Sequence, residues 1–225
     1  MKPVVIFGTG KMAEVLYRYI RRDRPYEIAG FTCEAPYLPP GGAFDGLPVV
    51  DFERVTERFP PAAYDMLVAV AYHDLNRVRR RIYGAAKALG YRLASYVSAR
   101  AGVGDWLVAG ENCIILDNAG VEPGVTLGNN VVLWSNVLVG HHTAIADHCW
   151  LAAHAVLGGT AVLGEGSFVG LGAIVAHDVE IGPESFLGAG VLVTKCAGPK
   201  SVFVATGTEL FRLDSDKFLR ITKMR

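Results

Sequence analysis

From about Val97 to Gly198 the chain repeats a six-residue pattern in which every unit opens on an aliphatic residue. The openers recur from Val103 to Val193, and fifteen of the sixteen are Val, Ile or Leu, the exception being Ala109. The second position is Gly in nine of the sixteen units, and the fifth is small or β-branched, as at Ala155, Ala161, Ser167, Ala173 and Ser185. A period of six fits neither the 3.6 of an amphipathic helix nor the 2 of a half-buried strand. It predicts a three-sided prism. Each hexad is one flat side, the opener points inward, the small fifth residue fits a corner, and Gly permits the backbone angles of the turn. Eighteen residues then close one coil, and coils stack in parallel β register about 4.8 Å apart. The 102 residues from 97 to 198 make a little under six coils. A β-sandwich would instead require turn signals every 8–12 residues or so.

Residues 1–96 change period and predict a small parallel α/β domain, Rossmann-like in its sheet. Pro3–Phe7 is an apolar strand, Gly8-Thr9-Gly10 a tight turn, Lys11–Arg22 a run of helical spacing and Tyr26–Phe31 a second strand. After a Pro- and Gly-rich loop from Pro36 to Gly46, Asp65–Ala71 reads as a third strand. Asp74–Leu89 reads as a helix capped at Asp74, and Arg92–Val97 as a strand leading into the prism. Residues 199–225 form a tail in which Phe211–Phe218 suggests a short terminal helix.

Charge separates the same three segments. Lys plus Arg against Asp plus Glu is 14 to 10 in residues 1–96, 2 to 9 in 97–198 and 6 to 3 in 199–225, for a net charge of zero. No global field therefore recruits nucleic acid or an anionic membrane. No apolar run reaches the roughly 18 residues of a membrane span, and MKPVVIFGTG lacks the zones of a signal peptide, so a cytoplasmic location is expected. Cys33, Cys113, Cys149 and Cys196 lack metal-cage or disulfide-framework spacing and read as reduced thiols.

Candidate chemistry falls in two places. Gly8-x-Gly10-x-x-Ala13 is a variant of the dinucleotide fingerprint, which puts bare backbone N–H groups at a helix N-terminus where phosphate is favoured. Fewer than 100 residues supply about one mononucleotide-binding half, which points to a single nucleotide, such as that of a nucleotide sugar, rather than NAD. Tyr72 and His73 stand where open α/β sheets bind ligands, at the end of the third strand. Arg77, Arg79, Arg80 and Arg81 read as a solvated helix face.

On the prism, five of the six histidines lie in residues 141–177. His141 and His142 occupy outward positions of the hexad opened by Val139, and a neutral imidazole can accept a proton from an amine or hydroxyl. Adding 18 to 141 gives Gly159 and then His177, so Gly159 stacks one coil from His141, where its N–H can serve an oxyanion. Asn118, Asn136 and His154 form a polar column expected to line the same cleft. His148 and His154 otherwise serve as fillers of an interface between subunits.

The hexad pattern resembles the left-handed β-helix of the hexapeptide-repeat acyltransferases; the hand comes from that resemblance, since parallel crossovers otherwise favour the right. With the α/β unit ahead of it and Gly140-His141-His142-x-x-Ile145-x-Asp147-His148-Cys149-x-x-x-x-His154-Ala155-x-x-x-Gly159, the chain is similar to the sialic-acid O-acetyltransferases and nucleotide-linked 4-amino-sugar N-acetyltransferases. The resemblance runs from Val4 to about residue 205. It implies a homotrimer with active sites between neighbouring prisms, acetyl-CoA as cosubstrate, no metal, and a nucleotide-linked sugar as acceptor. His141 becomes the general base, and Gly159 an N–H donor near the thioester. Gly8, Gly10, Lys11, Tyr72, His73, Asn118 and Asn136 become acceptor-binding residues, and His154, His177 and Lys195 cofactor-binding ones. Lys200 is a further candidate for the coenzyme's phosphates.

The chain departs from that pattern at two places. His142 stands where an acidic residue commonly orients the base, and Trp150 where a polar cofactor-contacting residue is expected. Two other functions compete: a non-catalytic nucleotide-sugar-binding trimer, motivated by His142, and a zinc hydrolyase like the γ-carbonic anhydrases, which share the prism but whose ligand spacing is missing.

Overall fold

The computed structural model describes residues 2–222. The N-terminal domain is built on a five-stranded sheet of order β3-β4-β2-β1-β5, parallel except for the β3–β4 hairpin. Its elements are β1 (Val4–Phe7), α1 (Lys11–Asp23), β2 (Ile28–Cys33), β3 (Ala43–Phe44), β4 (Leu47–Asp51), α2 (Val55–Arg58), β5 (Asp65–Val68) and α3 (Arg77–Ala88). β1, an unbroken apolar run inside the sheet, and β5, at its edge and apolar except for Asp65, which pairs with Arg92, are both buried along their whole length. α1 buries Ala13, Leu16, Tyr17 and Ile20, the i, i+3, i+4, i+7 stripe legible in the sequence.

Three local expectations are corrected. The Pro/Gly-rich loop conceals the β3–β4 hairpin. Asp74 does not cap α3: Asp74, Leu75 and Asn76 all have positive φ (49°, 48° and 66°), and the helix starts only at Arg77. Arg92–Val97 is not a continuous strand; Leu93 makes an isolated bridge to Met66, and Tyr96–Val97 is already a rung of the prism.

The prism has three faces of two-residue parallel strands. The first runs from Val108–Ala109 to Glu180–Ile181, the second from Tyr96–Val97 to Val202–Phe203, and the third from Gly120–Val121 to Leu192–Val193. The register is eighteen, as in Val132↔Trp150↔Phe168↔Phe186, until the last coil, where Phe186 pairs with Val202 and Ile181 with Ala197. The openers and fifth-position residues together form one continuous core, from Cys113 and Ile115 to Val191 and Val193.

The turn mechanism differs from the expected one. Left-handed backbone sits at the fourth position of the hexad, held by Asn118, Asn130, Asn136, His142, His148 and His154 (φ 57–65°). Asn and His tolerate this region better than most side chains. The second-position glycines answer a different constraint, because a Cβ on Gly140, Gly158, Gly164 or Gly170 would stand 2.3–2.7 Å from backbone nitrogen of the next coil.

The domain docks on the second face, where Ile114, Val132, Trp150 and Phe168 join Leu16, Tyr17 and Ile20 in one buried cluster. Arg79, expected on a solvated face, is fully buried. Its guanidinium donates to the carbonyls of Asn130, His148 (2.8 Å) and Cys149 (3.2 Å) and to Oδ1 of Asn76 (3.0 Å). Asn76 in turn donates to the carbonyl of Gly166 at 3.1 Å. Burial lowers the Arg79 pKa to about 10. A guanidinium is chosen here because its planar fork reaches several carbonyls at once.

Candidate active site

His141, His142, Gly159, His177 and Lys195 share one corner, between the third and first faces, with the prism's axis running along the column. Both histidines are exposed. A Cβ on Gly159 would lie 2.7 Å from Nε2 of His141, so the imidazole lies directly against the Gly159 backbone of the next coil. The carbonyl of His141 accepts from Thr160 N–H (2.8 Å), which fixes the stagger, and among the described residues the Gly159 N–H donates to nothing. An unpaired backbone donor beside a solvent-facing imidazole is the arrangement an acyl-transfer oxyanion requires.

Two partners of the pair were not anticipated. Oε2 of Glu122 accepts from the His141 backbone N–H at 2.8 Å. Gly124 (φ 81°) leaves room for the His142 ring, since a Cβ there would stand 2.7 Å from its Cδ2. The signal was present: Gly124 lies eighteen residues before His142, as Gly159 lies eighteen after His141. One coil beyond Gly159, His177 Nδ1 meets Asp178 Oδ2 at 2.9 Å, and Thr160 donates to the same carboxylate. These bonds lower the Asp178 pKa, the Thr160 hydroxyl first.

Other expected site residues lie elsewhere. Asn118, Asn136 and His154 are exposed at the corner between the second and third faces, so within one protomer they do not line the cleft of His141. His148 does not wait for another subunit. It is 7% exposed, packed edge-on to Tyr83 of α3 and bonded by Nδ1 to Nδ2 of Asn130 at 2.9 Å. Burial first, and then the Arg79 charge, lowers its pKa to about 4.

The Gly8–Lys11 turn opens on a cleft of about 740 Å³ that also takes in Cys33, Glu34, His73 and Arg81. Gly8 (φ 122°) is obligatory, because a Cβ would stand 2.8 Å from the carbonyl oxygen of Ala69; Gly10 meets nothing and is simply open to a ligand. Arg77, Arg80 and Arg81 are exposed as expected of a solvated helix face, and Arg81 also donates to Glu34 at 2.8 Å across this cleft. Lys11, Met12 and Ala71 also line a second cavity of about 520 Å³, walled by Tyr72, Trp134, Trp150 and Phe168. Trp134 and Trp150 stack at 5.5 Å, and Tyr72 meets Phe168 at 4.7 Å. Tyr72 thus belongs to this aromatic cavity and His73 to the cleft.

Residues 110–141 match the bacterial transferase hexapeptide family (six repeats), and residues 160–195 the hexapeptide repeat of succinyl-transferase. No curated protein sequence matches the chain. Among solved structures, a mutant of perosamine N-acetyltransferase from Caulobacter crescentus, in complex with CoA and GDP-perosamine, superposes with a TM-score of 0.80 at 24% identity. The match covers 90% of this chain and 93% of that one. The acetyltransferase domain of PglB from Neisseria gonorrhoeae, in complex with acetyl coenzyme A, gives 0.76 at 24% identity over 88% and 93%. WeeI from Acinetobacter baumannii gives 0.70 at 19% over 90% and 96%. The chain therefore has the architecture of the hexapeptide-repeat transferases, a left-handed parallel β-helix carrying a small α/β domain. The superpositions on the perosamine N-acetyltransferase and on the PglB domain cover 90% and 88% of the chain and so extend over both of its domains.

Proposed function

We propose that the protein is an acetyl-CoA-dependent acetyltransferase acting on an amino or hydroxyl group of a nucleotide-linked sugar, by direct transfer. The observation that carries this reading is the contact of His141 Nε2 with Gly159, whose N–H has no partner among the described residues. The two ligand classes are supported by the neighbours: CoA and GDP-perosamine are bound to perosamine N-acetyltransferase, and acetyl coenzyme A to the PglB domain.

In the proposed reaction the acceptor nitrogen or oxygen attacks the thioester carbon while His141 Nε2 takes its proton. The Gly159 N–H donates to the oxyanion. Collapse expels the thiolate, which recovers the proton from the imidazolium, and no acyl-enzyme forms. The nucleotide would lie in the Gly8–Lys11 cleft, its phosphates at the N-terminus of α1.

His141 and that cleft occupy different sides of one protomer, so a complete site needs the cleft of a second copy beside the His141 corner. The exposed aliphatic column Leu138, Ile174 and Leu192 on the adjacent third face supports packing of copies there, in a homotrimer. No helix is long and apolar enough to cross a membrane among the described residues, which accords with a cytoplasmic enzyme.

The test is thiol release from acetyl-CoA in the presence of a panel of nucleotide-linked amino sugars and their hydroxyl counterparts. Acceptor-dependent release is expected. Nucleotide-sugar binding without turnover for any member would instead identify a binding protein.

A further inference from the structure

We infer that His142 is the positioning residue of the candidate base, a neutral imidazole that does the work of a carboxylate; this rests on the acyltransferase reading of the same corner. The two Nδ1 atoms face each other at 3.2 Å, with the rings at 78°. Two imidazole nitrogens at hydrogen-bond distance share one proton, so one ring donates and the other accepts.

The seat of the pair is built in. His142 adopts the left-handed corner conformation (φ 57°), and its N–H is tied to the carbonyl of Pro123 at 3.1 Å. Its ring lies over Gly124, and the ring of His141 lies over Gly159. The corner column thus carries a glycine under each imidazole, one coil before His142 and one coil after His141. A larger residue at either place would collide with the ring beside it.

Proton bookkeeping assigns the roles. With the shared proton on His141 Nδ1, His141 Nε2 keeps its lone pair toward Gly159, and His142 accepts at Nδ1 while holding its own proton on Nε2. When Nε2 of His141 takes the acceptor's proton, the Nδ1–H···Nδ1 bond becomes charge-assisted, and the cation is shared over two rings. One proton added beforehand to either ring removes a lone pair and disables the base. Glu122, at the His141 N–H, and Asp178, held by Thr160 and His177 on the coil beyond Gly159, are the charged groups facing the pair; His177 is the other titratable one. Both carboxylates stabilise the shared cation without touching either imidazole.

The experiment compares His142→Leu, His142→Asn and His142→Glu with the wild-type protein in thiol release across pH. His142→Leu is expected to lose about 10- to 100-fold in kcat with KM unchanged, the usual cost of removing a partner that orients a functional imidazole. The amide oxygen of His142→Asn should recover part of that loss. The fixed charge of His142→Glu should move the acid limb to higher pH. Unchanged kcat and an unchanged acid limb in His142→Leu would overturn the assignment. Should the wild-type protein release no thiol with any acceptor, the acyltransferase reading fails separately. The pair is then read by nitrogen NMR of the imidazoles, where a proton on Nδ1 of His141 and a coupling across the Nδ1–H···Nδ1 bond are expected. His141 protonated on Nε2, with no coupling to His142 across a hydrogen bond, would refute it.

Discussion

A methyl group on Gly159 would stand 2.7 Å from Nε2 of His141, although the two residues are eighteen apart in sequence. Gly159 has no left-handed backbone to relax, so the conflict is purely between a Cβ and the ring. Gly159→Ala should therefore leave the thermal midpoint nearly unchanged but displace the imidazole, with about a 100-fold loss in kcat for a shift near 1 Å. Comparison of melting curves with single-turnover rates checks this.

Removing the base itself is a separate case. His141→Ala should lower kcat by about 10²- to 10⁴-fold, the range of general-base catalysis. Because the Gly8–Lys11 cleft lies on another side of the protomer, nucleotide-sugar affinity measured by calorimetry should stay within a factor of two or so of wild type.

Arg79 ties the two domains together through three carbonyl groups: that of Cys149 also accepts from Val132 N–H at 3.0 Å, whereas those of Asn130 and His148 accept from Arg79. Arg79→Met should cost about 3 kcal/mol, because it leaves buried carbonyls unpaired. For a chain of 225 residues this lowers the thermal midpoint by about 6–12 °C. Arg79→Lys should recover little of it, since a single ammonium cannot reach three carbonyls in different directions. Calorimetric melting of the three proteins decides the matter.

His148 gives stability a pH dependence of known sign. Its folded pKa is depressed to about 4 from the ordinary 6.5, so between these values the unfolded chain binds a proton that the folded chain refuses. The stability this contributes is complete above about pH 6.5, falls as pH drops through that window, and is fully lost below about 4. A drop on the order of 2–3 kcal/mol is expected. In His148→Asn this part of the profile should flatten, as followed by denaturant melts at several pH values.

Much of the architecture was legible in the linear order of residues. The six-residue period identified the prism, its inward openers and its eighteen-residue coil, and it brought Gly159 to His141 before any coordinates. A repeat allows this because each residue meets only its neighbours on adjacent coils, at a constant separation along the chain. The same arithmetic run backward reaches Gly124 from His142. What the period did not reveal was which hexad position bends: the left-handed corner falls on Asn118, Asn136 and His142, while the second-position glycines are required by the close approach of successive coils.

The tertiary structure alone decided everything that joins the two domains. Arg79 has no fixed separation from the carbonyls it meets, nor His148 from Tyr83, and a charged helix face looks the same in sequence whether it meets water or carbonyls. Docking of the α/β domain on the second face buries Arg79, lowers the pKa of His148, and converts outward aromatic residues into a cavity wall. It also leaves His141 on a different edge from the Gly8–Lys11 cleft. Local repetition constrains neighbours at a known spacing, whereas contacts between domains depend on how two finished surfaces fit, and no short-range pattern records that fit.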